Sequence, residues 1–211
     1  MANSRVNYRF CTEILPPSQC LGDHVLLDIY SETLALPRKS KVLNQKYLDF
    51  LTGRFKLIHN GFHGLEHWLR VLINGRLIAA ECGADIEVVE HFALIHDAMR
   101  QTEDEDMYHG SRAASNVQAL AGNLIDLDRN QLDQLIEACR YHSMGRLSHD
   151  ITVQACWDAD RLDLGRVGTK PNPTYLGTKI ARNPAFLEAA QKRSMKRFVN
   201  YEFSKMREAV K

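Results

Sequence analysis

One hydrophobic rhythm runs through nearly the whole chain. From about residue 22, apolar residues recur three and four positions apart, and no convincing alternation of apolar and polar residues appears. With 6 prolines and 12 glycines in 211 residues, there is little to interrupt long helices. Amphipathic segments fall at 23–35, 41–58, 63–82, 86–99, 109–121, 129–142 and 151–164, and a last one runs from Asn183-Pro184 to about 207. Asp85, Asp128, Asp150 and Asn183 stand where N-caps belong, Gly83 stands at a C′ position, and Pro184 suits the first turn of a helix. Residues 165–173, rich in Gly and Pro, break the pattern. The rhythm predicts an all-α fold in a single domain. Residues 1–20 read as an irregular lead-in, 21–211 as the helical domain, and 63–165 as its functional core.

Composition narrows the class of function. With 27 basic and 26 acidic residues the net charge is +1, so no nucleic-acid or membrane partner is expected. The five cysteines form no C-x-x-C pair and no disulfide framework, which suits free thiols in a reducing compartment. Residues 1–17 hold no apolar core of a secretory leader, and no run approaches the ~18 apolar residues of a membrane span. A cytoplasmic location is expected.

The functional signal is where polar residues fall on apolar seams. In 86–99 the seam Val88, Val89, Phe92, Ala93 continues to His96, with Asp97 beside it. In 129–142 the seam Leu132, Leu135, Ile136, Cys139 continues to His142. In 151–164, Val153, Cys156 and Trp157 lead to Asp160 and then Leu164. His109 opens a seam of Ala113, Val117 and Leu120. The 63–82 segment is apolar nearly all round, except for a stripe of His63, His67, Arg70 and Asn74. An unpartnered buried polar group costs on the order of 1–3 kcal/mol, and a charged one far more. Any one of these histidines suits an ordinary hydrogen-bonded core position. Six metal-ligand groups on five elements are better satisfied by converging on cations. Asp158 sits about 200° around the helix from Asp160 and is expected to face elsewhere. Asp163, three residues after Asp160, is a lesser candidate for the same face.

These residues resemble the HD superfamily of metal-dependent phosphohydrolases. The family's pattern is a His on one helix, an adjacent His-Asp on the next, and a distant Asp in a phrase like A-D-R-L. Here the matches are His67 in HWLRV, His96-Asp97 in ALIHDAMR and Asp160 in DADRLD. Two-metal members add two intervening histidines, matched by His109 in YHGSRAA and His142 in CRYHSMG. The order and approximate spacing agree across residues 63–165, about half the chain. The resemblance implies one divalent metal on His67, His96, Asp97 and Asp160, and a second on His109 and His142, with Asp97 as bridge and catalytic residue orienting the attacking water. A nitrogen and oxygen ligand set without thiolate suits Fe, Mn, Co, Ni, Mg or Zn. The implied activity is hydrolysis of a phosphomonoester or phosphodiester of a nucleotide or related small metabolite.

A phosphate-containing substrate calls for cations. Arg70 and Arg100, each one turn from a proposed ligand, are the preferred pair, and His63 suits either a contact to substrate or leaving group or a hydrogen bond that supports the ligands from outside. Arg112, Arg140, Arg146 and Arg161 are expected mostly as solvated charges, as is the run Lys192, Arg193, Lys196 and Arg197. The acidic loop Glu103 to Asp106 reads as solvated, with Asp106 a weaker candidate to orient a metal-bound water. Three other readings share these residues. HD proteins resembling di-iron oxygenases use the same ligand pattern, and a non-catalytic binding module would keep the fold alone. His63-Gly-Leu-Glu66-His67 also spells the H-x-x-E-H zinc-peptidase motif, with Glu137 downstream as a further ligand.

Overall fold

The structure, a computed structural model, describes residues 40–59 and 61–195. Seven α-helices form there: α1 Gln45–Arg54, α2 Leu65–Cys82, α3 Ile86–Ile95, α4 His109–Leu120, α5 Arg129–Tyr141, α6 Ile151–Arg161 and α7 Pro184–Ser194. Short 3-10 turns occupy His142–Met144, Leu164–Val167 and Pro173–Tyr175. No strand occurs among the described residues, so the all-α expectation holds there. The expected lead-in at 1–20, the helix at 23–35, and residues beyond 195 with Lys196 and Arg197 lie outside the described residues.

Local chemistry explains the starts. Asp85, Asp150 and Asn183 each accept two backbone N–H bonds as N-caps, and Asp128 forms a full capping box with Gln131. Gly83 closes α2 at φ 73°, where a side chain would be strained. The ends are shorter than periodicity predicts. Asn44 caps α1, so the expected 41–58 helix shrinks to 45–54. His63 stands in a turn before α2 rather than on its polar stripe, because Leu65 N–H bonds to His59 O (2.8 Å) and folds the chain back at Gly64. The α3 helix stops at Ile95, and residues 96–100 tighten into i→i+3 bonds, Ala98 to Ile95 (3.1 Å) and Arg100 to Asp97 (3.0 Å).

α3 is the central element: every residue from Val88 to Ile95 is buried. α2, α5 and α6 all pack on it, α2 also packs on α6, and α4 packs on α5. Two close approaches depend on missing side chains. A Cβ on Gly75 of α2 would lie 2.5 Å from Val89 Cγ1 of α3. A Cβ on Gly110 of α4 would lie 2.7 Å from Cys139 O and 2.9 Å from Arg140 O of α5. Trp68 and Trp157 fill the core, their indole N–H groups held by His63 O and Ala138 O, each at 3.0 Å. Cys82, Cys139 and Cys156, the described cysteines, are unbridged. No described helix is long and apolar enough to cross a membrane.

Candidate metal centre

Helix ends build this site. His96 caps the C-terminus of α3, His142 that of α5, and Asp160 lies in the last turn of α6. Three C-terminal dipole ends therefore point inward, a field that favours positive charge. His67 comes from the first turn of α2, and His109 is the first residue of α4. All four histidines are at most 5% exposed, Asp97 is 2% exposed, and the Asp160 side chain is 15% exposed.

Each of these four histidines has its Nδ1 fixed by an acceptor. His67 Nδ1 faces Asp163 Oδ2 at 2.8 Å, His96 Nδ1 faces Phe92 O at 3.1 Å, and His142 Nδ1 faces Cys139 O at 2.8 Å. His109 Nδ1 bonds to Asp106 O. A carbonyl or carboxylate oxygen can only accept, so in the neutral rings the proton sits on Nδ1 and each Nε2 presents a lone pair. Those lone pairs face one another: His67 Nε2 is 3.0 Å from His96 Nε2, and His109 Nε2 is 2.8 Å from His142 Nε2. While the rings are neutral, no proton lies between the members of either pair. Two nitrogen ligands on one cation, bonded at about 2.1 Å and at right angles, would stand about 3.0 Å apart.

Asp97 stands between the pairs. Its Oδ2 is 3.5 Å from His67 Nε2 and 3.6 Å from His96 Nε2. Its Oδ1 is 3.5 Å from His109 Nε2 and 3.7 Å from His142 Nε2, and it has no hydrogen-bond donor although it is buried. Asp160 Oδ1 lies 3.4 Å from His67 Nε2 and 3.8 Å from His96 Nε2. Three overlapping groups can hold a metal ion: His67, His96 and Asp97; His96, His142 and Asp160; and Asp97, His109 and His142. A buried carboxylate without a donor, flanked by two pairs of opposed lone pairs, fits divalent cations.

The electrostatics agree. Burial pushes the His96 imidazole down to about 3, so it is neutral at physiological pH. Burial would raise Asp97, yet the surrounding imidazoles, His96 first, hold its carboxyl well below the usual range. Burial opposes ionisation of Asp160 too, but His96, His67 and Arg166 carry it down to about 2. His142 is raised: burial pulls it down, and its contact with Asp97 outweighs that. Both carboxylates stay ionised and the His96 Nε2 stays unprotonated, as metal ligation requires.

The surrounding residues differ from expectation. Asp163 is fully buried and does not share the Asp160 position: it holds the far side of the His67 ring and accepts Arg70 Nε at 2.6 Å. Arg70, expected to face phosphate, is 4% exposed and lies between Asp163 and Glu66 Oε2 (3.7 Å), because its helix face turns toward the start of the 164–167 turn. Arg100 does border the centre, with Nη1 3.6 Å from Asp97 Oδ1 and 3.3 Å from His109 Nε2. The acidic loop is structural rather than merely solvated. Glu103 Oε2 pairs with His63 Nδ1 at 2.6 Å, and Asp106 binds Gln101 N–H and Arg112 while its carbonyl fixes His109. The Asp106 carboxylate is thus directed to the loop and Arg112. Arg166, absent from the sequence reading, donates to Phe62 O (2.9 Å) and lies 3.8 Å from Asp163 Oδ2.

Other positions resolve plainly. Asp158 does face elsewhere, but it is fully buried, accepting Thr178 N–H and Oγ1 (both 2.7 Å), Gly177 N–H and Gln154 Nε2. Arg161 bonds to Tyr175 O and Arg146 O, and Arg146 lies over the Tyr141 ring at 3.8 Å. Arg193 is 3% exposed and donates to Asn74 Oδ1 (3.0 Å), so it is not a solvated charge, whereas Lys192 is. The peptidase motif does not assemble: His67 belongs to the cluster, His63 stands with Glu103, and Glu137 is exposed on α5.

No protein-family profile and no curated protein matches this sequence. Among solved structures, the chain is similar to the crystal structure of a predicted HD superfamily hydrolase from an uncultured Thermotogales bacterium. The two are 23% identical, the match covers 83% of this chain and 92% of that chain, and the TM-score is 0.53. This likeness shows a shared fold: the helical arrangement is of the HD type.

Proposed function

We propose that this chain is a metal-dependent hydrolase of the HD type that cleaves a phosphomonoester or phosphodiester of a nucleotide or related small metabolite. The observation that carries the reading is Asp97. Its two oxygens face two separate imidazole pairs, and the buried Oδ1 has no donor. The name of the structural neighbour, a predicted hydrolase, supports the same class.

His67, His96, Asp97 and Asp160 would hold one divalent cation, and His109, His142 and Asp97 a second. Such a pair lowers the pKa of a shared water and offsets charge on the phosphoryl group in an in-line displacement. Asp97 would orient that water, and Arg100, with Nη1 3.6 Å from Asp97 Oδ1, would offer a guanidinium to the phosphoryl oxygens. His63, half-buried and paired with Glu103, would contact the substrate or its leaving group. Arg70 acts through His67 by fixing Asp163, as a positioning residue.

Phosphate release is the test, screened over nucleotides and simple phosphate esters under anaerobic conditions with Mn, Mg, Fe, Co, Ni or Zn. Turnover with a metal, lost in H96A and D97A, is expected. Turnover that requires iron and oxygen instead would assign the oxygenase chemistry that shares this ligand pattern.

A further inference from the structure

A groove of about 690 Å³ adjoins the centre. Its walls come from the end of α1, the residues after α3, and the outer face of α4, and they include Arg54, Lys56, Arg100 and Arg112. No acidic side chain lines it, although the chain as a whole is balanced at 27 basic and 26 acidic residues. Four cations on one wall set are therefore a local concentration, and a concave surface of one sign focuses the field on anions.

The four are not equivalent. Arg112 is paired with Asp106, and Arg100 reaches Asp97 and bonds to Asp104 O (2.8 Å). Arg54 and Lys56 are exposed, and neither pairs with a carboxylate among the described residues. Arg54 lies over the Phe50 ring at 4.7 Å. Tyr108, 69% exposed, adds an open aromatic face one residue before His109. Arg100 is the joint between the two regions. It lines the groove, and its Nη1 is 3.3 Å from His109 Nε2.

We propose that this groove is a second anion subsite, in which Arg54 and Lys56 hold a phosphate group distant from the one at the metal centre. The substrate class is then a small molecule with two separately placed anionic groups, one at the metal centre and one in the groove. This rests on the phosphohydrolase reading above for the position of the first phosphate. The subsite itself stands on the groove and its charges, and binding alone can test it.

The probe is inorganic tripolyphosphate, titrated calorimetrically into the full chain after chelator treatment. The wild type is expected to bind it, and R54A/K56A to bind at least tenfold more weakly. K170A/K179A removes the same charge from exposed lysines outside the groove and is expected to bind as the wild type does. H96A/D97A is also expected to retain binding, which separates failure of the metal reading from failure of this one. Equal affinity in R54A/K56A and wild type, an equal loss in K170A/K179A, or no binding by the wild type would each overturn the subsite.

Discussion

At the scale of single residues, the centre depends on which nitrogen of each imidazole is free. Asp163 decides this for His67, with Arg70 and Arg166 around its carboxylate. Replacing Asp163 with Asn weakens the acceptor and removes the charge that holds Arg70. D163N is expected to lower metal affinity ~10–100-fold, measured by competition with a chromogenic chelator. Unchanged affinity would remove Asp163 from the site. His91 gives a separate pH prediction. It is 3% exposed, its Nδ1 has no partner, and burial pushes it down to about 4. Between that value and the ordinary imidazole range near 6.5, the unfolded chain binds the proton and the folded chain does not. Stability conferred by neutral His91 is thus lost as pH falls through that window. Relative to H91F, the wild type should lose roughly 3 kcal/mol between pH 6.5 and 4, measured by urea unfolding. Parallel pH profiles would contradict this.

At the scale of elements, much could be read ahead. The caps Asp85, Asp128, Asp150 and Asn183 all act as expected, because capping depends on chemistry a few residues apart. Helix ends were overrun at 96–99 and 162–164, since apolar spacing continues through a turn that has tightened to i→i+3 bonds. That same effect hid Asp163. A rule about helix faces put it beside Asp160, but it lies past the end of α6, with its N–H bonded to Asp160 O (2.9 Å), and so points to the opposite side of His67. His96, His142 and Asp160 were readable because each continues a buried seam and His109 because it opens one, whereas His67 and Asp97 were marked by the family resemblance. The roles of Glu103, Arg70 and Arg166 depend on loops from distant parts of the chain, which periodicity does not report. Gly110 is the element-scale test. G110A forces α4 from α5, where the added Cβ would meet two backbone carbonyls, and so parts His109 from His142. It should cost about 1–3 kcal/mol in stability and selectively reduce occupancy of the His109 and His142 position. Full occupancy at wild-type stability would show that the close approach is not needed.

At the scale of the whole described fold, α2 to α6 bring helix ends to one point, and that point concentrates buried ionised carboxylates and imidazole nitrogens. Such a cluster is unfavourable without cations. Divalent metal should therefore stabilise the fold. At a hundredfold excess over Kd, one site adds ~2.7 kcal/mol, or a Tm about 5–10 °C above that of the chelated protein. A Tm unmoved by chelator and by every divalent metal tried would count against the centre.

The most direct measurement is metal stoichiometry by elemental analysis of wild type, H142A and D97A, each folded by circular dichroism and reconstituted with the same divalent metal. Asp97 shared between two imidazole pairs predicts close to two equivalents in the wild type, about one in H142A, and almost none in D97A. A D97A protein that keeps the wild-type metal content would contradict the account.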